Sequence, residues 1–275
     1  MSKILDGVLV AKKINERTSR KVQELKAKKI NPHLAVILVG DDPASKLYVS
    51  IKERKCQKLK IDFSNYLLPE NIIEQELEYL IKSLNDDKNI HAIIIQLPLP
   101  RHLDTKKMIG MISSIKDADA LTSDPVIDAP TASGIIEILK EYKIGLDNKK
   151  IVIVGYGKLV GKPLEKILKR DYNNLDINVC DSKTPSLKKI TKKADIIITA
   201  VGKPYLITKE MIKIDTIIID AGTAESKGEI IGDVDFEKIK NIVSYITPPK
   251  GGVGPVTVAK LLENTVILCE KQNKK

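Results

Sequence analysis

Short apolar runs that end in turn residues constrain the fold of this chain more than any other feature. Two runs lie in the first half of the chain, at residues 34–40 and 91–97. Four lie in the second half, at residues 150–154, 177–180, 195–199 and 216–220. Helix-like patterns alternate with the first two runs, near residues 8–29, 43–60, 73–85 and 105–114. Because strands that alternate with helices pair in parallel, the sequence predicts an α/β protein with parallel sheets.

The middle of the chain breaks this alternation. Residues 120–133 contain Pro125 and Pro130 among mixed polar residues, so we interpret this stretch as a linker. A chain of 275 residues is long enough for two domains. We therefore expect two α/β domains, 1–125 and 126–254, and the second is expected to be a Rossmann-type parallel sheet. A last helix is predicted from Pro255 toward Glu270.

A strand, a turn and a helix are predicted where residues 40–52 read Gly-Asp-Asp-Pro-Ala-Ser-Lys-Leu-Tyr-Val-Ser-Ile-Lys after an apolar run. Pro43 suits the first helical turn, where its missing N–H has no partner to lose. Tyr48 and Lys52 are four residues apart and share one helix face. Gln96 stands near the end of the second run, before two prolines. Open parallel sheets bind ligands at the carboxyl ends of their strands, so Tyr48, Lys52 and Gln96 are candidate site residues. The alternative is structural, with the stem of Lys52 extended over a tyrosine that belongs to the core.

A dinucleotide site is predicted where residues 155–161 read Gly-Tyr-Gly-Lys-Leu-Val-Gly, between a strand and a helix. Gly155, Gly157 and Gly161 allow backbone N–H groups to approach a pyrophosphate at a helix N-terminus. Asp181 follows the next strand, where a carboxylate can accept hydrogen bonds from the adenosine ribose diol. The alternative is a glycine-rich turn beside a surface aspartate.

The net charge of +10 raises the question of nucleic-acid binding. The lysines are spread over predicted helix faces, and the chain has no Trp and only two Phe, so we favour a solvated surface and expect no nucleic-acid partner.

No apolar run reaches the roughly 18 residues that a membrane span needs, and no signal-peptide pattern is seen. Cys56, Cys180 and Cys269 have neither metal nor disulfide spacing. We expect a cytoplasmic protein without a metal.

Four motifs together resemble one enzyme family. They are residues 40–52, Gln-Leu-Pro-Leu-Pro at 96–100, Lys-Asp-x-Asp at 116–119 and Gly-Gly-Val-Gly-Pro-x-Thr at 251–257. The chain resembles the bifunctional methylenetetrahydrofolate dehydrogenase/cyclohydrolase family from Asp6 to Thr265. The resemblance implies oxidation of 5,10-methylenetetrahydrofolate to the methenyl form with a nicotinamide cofactor, then hydrolysis to 10-formyltetrahydrofolate in one-carbon metabolism. It also implies a homodimer and a last helix, 255–275, that packs back on the first, folate-binding domain.

The resemblance assigns roles to individual residues. Lys52 is implied as the central group of the hydrolysis, hydrogen-bonded to Gln96, and its role as base or as proton donor stays open. Tyr48 would stack on the pterin or aminobenzoate ring, and Asp119 would accept hydrogen bonds from the amino-pyrimidine. Gly252 and Pro255 are implied as substrate-binding.

The predicted cofactor site departs from the family pattern. Members that use NADP have an Arg where this chain has Tyr156 and a His where it has Asp181, although Ser182 is retained. Losing a guanidinium and gaining a carboxylate both weaken binding of a 2′-phosphate, so between NAD and NADP we favour NAD. Lys158 or Lys183 is the alternative phosphate ligand. On the folate side, Ala120 replaces the usual Gly, and the following segment is shorter than in the family.

Three other functions stay open at this point. The chain could be a monofunctional NAD-dependent methylenetetrahydrofolate dehydrogenase, a non-catalytic folate- or nucleotide-binding homologue, or an NAD enzyme of another substrate class. The first alternative would be expected to lack Lys52 or Gln96, and both are present. The other two do not predict Lys52, Gln96 and Asp119 together.

Overall fold

The computed structural model describes residues 3–226 and 229–274. The chain divides into two compact units. One, called the three-stranded unit, contains Lys13–Pro130 and the residues after Thr257. The other, called the six-stranded unit, contains the residues up to Lys12 and Thr131–Thr257.

Helices and strands alternate along most of the described chain. The helices are α1 (Gly7–Ala27), α2 (Pro43–Leu59), α3 (Glu74–Asp86), α4 (Thr105–Gly110), α5 (Pro130–Glu141), α6 (Gly161–Asp171), α7 (Leu187–Thr191), α8 (Phe236–Ile239) and α9 (Val253–Asn273), with a 3-10 turn at Lys209–Met211. The strands are β1 (Lys3–Ile4), β2 (His33–Val39), β3 (Asp62–Leu68), β4 (Ala92–Ile95), β5 (Lys150–Val154), β6 (Asp176–Cys180), β7 (Ile196–Thr199), β8 (Ile217–Asp220), β9 (Ala224–Ser226), β10 (Glu229–Ile231) and β11 (Tyr245–Ile246).

The three-stranded unit is built around β2, which pairs in parallel with β3 on one side and β4 on the other. Successive side chains of a strand point to opposite faces. Accordingly Leu34, Val36 and Leu38 belong to one buried cluster, which includes apolar residues of α1, α2 and α9. The residues between them belong to a second cluster, which includes apolar residues of α3 and α4. Helices therefore cover both faces of this sheet, and α9 packs in this unit as predicted.

The six-stranded unit contains a parallel sheet in the order β1-β11-β8-β7-β5-β6 and a separate antiparallel pair, β9 and β10. The chain passes from β5 outward to β6 and then returns to β7 on the opposite side of β5. This reversal of direction creates a crevice at the carboxyl ends of β5 and β7, which is where doubly wound sheets bind ligands. The predicted Rossmann-type sheet is confirmed.

Several predicted boundaries differ from the structure. β3 was missed because its sequence mixes Asp, Ser and Asn with apolar residues, as an edge strand tolerates. The end of the predicted linker is helical, because Pro130 occupies the first turn of α5, where proline is favoured. Residues up to Lys12 were predicted in the first domain but cluster with the six-stranded unit, since β1 pairs with β11. Residues 1, 2, 227, 228 and 275 of the predicted domains lie outside the described residues.

We predict that Gly7→Ala strongly destabilises the six-stranded unit. A Cβ atom on Gly7 would lie 1.7 Å from the carbonyl oxygen of Gly252, and backbone cannot move aside as a flexible side chain would. We expect the free energy of unfolding to fall by at least roughly 1–3 kcal/mol, the usual cost of overpacking. Urea denaturation followed by circular dichroism measures it. The control is Gly110→Ala, where nothing lies within 4 Å of the added atom. Equal denaturation midpoints for the two variants would contradict the prediction.

Candidate active site

Lys52 and Gln96 meet at the carboxyl edge of the three-stranded sheet. α2 follows β2 after a three-residue turn and is capped by Asp42, whose carboxylate accepts a hydrogen bond of 2.7 Å from Ser45 N. Gln96 follows β4, and its backbone N–H donates to Ile37 O. The Gln96 amide nitrogen donates to Leu97 O at 3.0 Å, which turns Oε1 toward Lys52. Lys52 Nζ donates to that oxygen at 2.8 Å.

The Lys-Asp-x-Asp motif contains two residues held by backbone hydrogen bonds, and a third, Asp119, whose charge acts on Lys52. Lys116 O accepts a 2.7 Å hydrogen bond from Ile93 N, so the motif continues the pairing beside β4. The buried Lys116 amine donates to Leu84 O and Asp87 O at 2.9 and 2.7 Å. Buried Asp117 accepts from Thr122 N at 2.7 Å. Only Asp119 is left to interact with Lys52 through its charge.

Burial moves both Lys52 and Asp119 toward their neutral forms. It lowers the pKa of Lys52, and the charge of Asp119 opposes this shift. It raises the pKa of Asp119, against the opposing charge of Lys52. Burial also raises the pKa of Cys56 to about 12, so this thiol stays protonated at neutral pH. The site therefore offers a lysine that can exchange a proton, and a cysteine that is not a nucleophile.

Two further residues complete this part of the site. Tyr48 is 41% exposed, which rules out the alternative of a core tyrosine under the lysine stem. Asn264 of α9 is buried, and its amide donates to Ala118 O at 3.1 Å and Asp128 O at 3.0 Å. It thereby holds both ends of the segment that carries Asp119. Sequence reasoning missed Asn264, because a lone polar residue in an apolar helix does not indicate its partners.

The glycine turn lies at the crevice between β5 and β7. Gly155 has φ 100°, and a Cβ atom there would lie 2.6 Å from Ala200 O. A Cβ atom on Gly161 would lie 2.0 Å from Gly155 O, so this glycine lets α6 start against the turn. Gly157 has nothing within 4 Å of the same position. Packing therefore requires glycine at positions 155 and 161, whereas the space beside Gly157 is open and leaves room for a ligand to approach the backbone.

Asp181 follows β6 and is exposed, as is the neighbouring Ser182. Asp181 Oδ1 accepts hydrogen bonds from Lys183 N at 2.9 Å and Thr184 Oγ1 at 3.1 Å. These bonds lower the pKa of Asp181, so it is a carboxylate at neutral pH. The geometry fits an acceptor for a ribose diol, and the negative charge of Asp181 would repel a 2′-phosphate bound beside it.

Tyr156 is not a free side chain. Its hydroxyl donates to Glu165 Oε2 at 2.5 Å, and the Lys162 amine lies 5.3 Å from its ring centre. The bond to Glu165 raises the pKa of Tyr156. Bonds from Lys169 and Tyr156 lower the pKa of Glu165, which is therefore charged. Glu165 was missed, and it adds a carboxylate beside the position where the family pattern has an arginine.

Gly252 and Pro255 belong to the six-stranded unit, whereas Tyr48, Lys52, Gln96 and Asp119 belong to the three-stranded unit. Gly252 is buried, and a Cβ atom there would lie 2.3 Å from Pro248 O. Pro255 is the third residue of α9, where a missing N–H loses no helical bond. Packing alone explains both residues, so their substrate-binding roles stay predictions.

Comparisons with known proteins agree on one family. A model of the tetrahydrofolate dehydrogenase/cyclohydrolase catalytic domain matches residues 5–119, and a model of the family's NAD(P)-binding domain matches residues 129–273. Bifunctional protein FolD of Thermodesulfovibrio yellowstonii is 43% identical, covering 99% of this chain and 98% of that protein.

Solved structures are similar over the same length. The bifunctional FolD methylenetetrahydrofolate dehydrogenase/cyclohydrolase of Campylobacter jejuni is 40% identical with a TM-score of 0.95, covering 98% of this chain and 99% of that one. The Trypanosoma brucei FolD, complexed with NADP cofactor and inhibitor, is 31% identical with a TM-score of 0.93, covering 100% and 99%.

The described residues contain neither a cluster of metal ligands nor a membrane-spanning helix. No group of three or more His, Cys, Asp or Glu among them is arranged to hold a metal ion. Within residues 3–226 and 229–274, no helix has the length and apolar character that crossing a membrane requires.

We predict that Ala120→Gly stabilises the protein. Ala120 has φ 56°, a left-handed conformation that costs a residue with a Cβ atom about 1–2 kcal/mol. Glycine removes that cost but makes the unfolded chain more flexible, so the net gain is about 0.5–1 kcal/mol. The thermal unfolding midpoint should rise. Ala118→Gly is the matched control, because Ala118 is fully buried, has no positive φ and should lose stability. A lower midpoint for Ala120→Gly would show that the alanine is unstrained.

Proposed function

The chain belongs to the tetrahydrofolate dehydrogenase/cyclohydrolase family, and from this membership we propose that it oxidises 5,10-methylenetetrahydrofolate and hydrolyses the product to 10-formyltetrahydrofolate. The observation that carries the proposal is the 2.8 Å hydrogen bond from Lys52 to Gln96, with Asp119 near enough for its charge to act on the lysine. A steady-state assay with methylenetetrahydrofolate and NAD or NADP tests it, following reduced nicotinamide and the methenyl absorbance separately.

The oxidation requires the substrate to be held in one orientation. A bound nicotinamide cofactor supplies the hydride acceptor. Asp119 is proposed to accept hydrogen bonds from the amino-pyrimidine of the pterin, and exposed Tyr48 to stack against an aromatic ring of the substrate. The methenyl cation that forms is stabilised by resonance over N5 and N10, so this step needs no proton transfer by the protein.

The hydrolysis requires a proton to be moved. Water adds to the methenyl carbon, its oxygen becomes the formyl oxygen, and the bond from that carbon to N5 breaks. One water proton ends on N5 and the other leaves to solvent. We assign the transfer to Lys52 in its neutral form, because burial lowers its pKa and because Gln96 Oε1 fixes its amine.

We predict that Lys52→Met abolishes cyclohydrolase activity and leaves substantial dehydrogenase activity. Methionine keeps the length and apolar stem of lysine but cannot exchange a proton. Both rates are measured on the same preparation, with methenyltetrahydrofolate supplied directly for the hydrolysis. Lys55→Met is the control, since Lys55 is an exposed lysine on the same helix. An equal loss of both rates in a folded Lys52→Met protein would remove Lys52 from the hydrolytic step.

The wild-type pH profile tests the protonation state in the same assay. A neutral lysine is the active base, so the cyclohydrolase rate should rise with pH, with a midpoint below the ordinary lysine value of 10.5. The dehydrogenase rate should lack this rising limb. A cyclohydrolase rate that falls as pH rises would instead assign Lys52 as an ammonium donor.

The cofactor is NAD or NADP, and we propose that NAD is preferred. Asp181 and Glu165 support this, because both are carboxylates at the place where a 2′-phosphate needs cations. Lys158 and Lys183 are the residues that would support NADP instead.

We predict that Asp181→Ser with Tyr156→Arg shifts preference toward NADP by at least about tenfold in relative kcat/KM, which is about 1.4 kcal/mol. Serine can still accept the local hydrogen bonds of the turn. Since Glu165 would pair with the new guanidinium, adding Glu165→Gln should enlarge the shift. The cyclohydrolase rate serves as the control. A wild-type enzyme that clearly prefers NADP would refute the proposed role of Asp181.

We also propose a homodimer in the cytoplasm. The homodimer is implied by family membership alone, and analytical ultracentrifugation tests it. The compartment is supported by Cys56, Cys180 and Cys269, which are all buried free thiols, as proteins of a reducing compartment have.

A further inference from the structure

Asp233 is a fully buried carboxylate that no step above uses. It lies between β10 and α8, yet its carboxylate accepts hydrogen bonds from the last residue of β7 and from the turn that follows that strand. Its Oδ2 accepts from Thr199 Oγ1 at 2.6 Å and from Val201 N at 2.7 Å. Its Oδ1 accepts from Lys203 N at 2.8 Å. One side chain thus fixes the start, the middle and the end of the turn 199–203.

A second buried carboxylate locks Asp233 in place. Asp220, the last residue of β8, accepts from Gly222 N at 2.9 Å and from Val234 N at 3.0 Å. A Cβ atom on Gly222 would lie 2.1 Å from the Asp233 carboxyl carbon, and one on Gly232 would lie 2.0 Å from Asp220 Oδ2. The glycines therefore let each carboxylate pack against the loop that carries the other, and this packing restrains the Asp233 side chain that binds the turn after β7.

The turn 199–203 forms one wall of the crevice at the switch point. Thr199 pairs with Val154, and Ala200 O is the atom that a side chain on Gly155 would strike. Asp181, the proposed ribose ligand, follows β6 on the opposite side of β5. A dinucleotide held across the glycine turn with its adenosine toward β6 has its nicotinamide half toward β7 and β8. Val201 is 46% exposed on that wall.

We propose that Asp233 is a positioning residue for the nicotinamide half of the cofactor, acting through the backbone of the turn 199–203. The inference rests on the proposed use of a nicotinamide cofactor by the six-stranded unit. Asp233 itself touches no ligand in this arrangement. Its three hydrogen bonds hold the wall at the distance from the glycine turn that the cofactor requires.

Asp233→Asn tests the proposal. An amide has one acceptor oxygen, so its NH₂ group must face at least one N–H donor of the turn. We expect the Kd for NAD, measured by isothermal titration calorimetry, and the KM for NAD to rise about tenfold or more. Cyclohydrolase activity with methenyltetrahydrofolate supplied directly should stay within about twofold of wild type, because that reaction uses no cofactor.

Asp195→Asn is the matched control. Asp195 also accepts from a backbone N–H of this sheet, Lys150 N at 2.8 Å, and pairs with Lys213 at 2.6 Å, but it precedes β7 at the amino edge. The Asp195→Asn substitution weakens these two bonds, so it should lower the thermal unfolding midpoint without changing cofactor affinity. Thr199→Val is the milder variant, since it removes one of the three bonds and keeps the side-chain shape. It should raise the Kd less than Asp233→Asn does.

The outcomes separate the inference from the proposed function. Wild-type protein that binds neither NAD nor NADP would overturn the function itself. Wild-type binding with unchanged affinity in a folded Asp233→Asn protein would overturn the inference alone. Should Asp233→Asn not fold, unchanged affinity in Thr199→Val would overturn it. Equal loss of affinity in Asp195→Asn would show that stability, and not the position of the turn, controls binding.

Discussion

Parallel pairing is the constraint on which both candidate sites depend. Strands that run in one direction end at one edge, so the residues that follow them meet there however far apart they lie in the sequence. The register that sets Ile37 opposite Ile95 brings Gln96 beside the loop that starts α2, and so within reach of Lys52. The register that sets Val154 opposite Thr199 brings the glycine turn against the loop after β7. Each site is a consequence of where strands stop.

Burial then decides what the assembled residues can do. Lys107 on α4 shows the opposite case to Lys52, because its amine is exposed and bonded by Glu74 and Glu78, which raise its pKa. Lys52 has a neutral amide as its hydrogen-bond partner, so desolvation dominates and its pKa falls. A lysine is therefore a permanent cation on α4, whereas at the sheet edge its neutral form is easier to reach. Burial of Lys52, together with an amide in place of the carboxylate partners of Lys107, makes the difference.

Local patterns predicted what depends on neighbours in the sequence. β5 has the predicted bounds, and Lys52 donates a hydrogen bond to Gln96 as the family pattern implies, whereas the interaction of Asp119 with Lys52 was not predicted. β3 was not predicted, because polar residues at an exposed edge dilute the apolar signal. Contacts across long separations were missed for a different reason. Asp233 binds a residue 34 positions away and Asn264 one 146 away, and no local spacing encodes such partners. Such contacts can be identified only when the order of the strands in the sheet is known.

Two kinds of electrostatic effect bear on ligand binding, the long-range field of the net charge and the local charges of individual side chains. The net charge of +10 attracts anionic folates and dinucleotides alike, and salt screens it beyond about 8–10 Å. It cannot distinguish NAD from NADP, since both arrive as anions. That discrimination concerns one phosphate and depends on groups within contact distance, for which we propose the carboxylates of Asp181 and Glu165. A strongly basic chain can therefore disfavour the more negative cofactor, because the long-range field governs the encounter and a few local charges govern the choice.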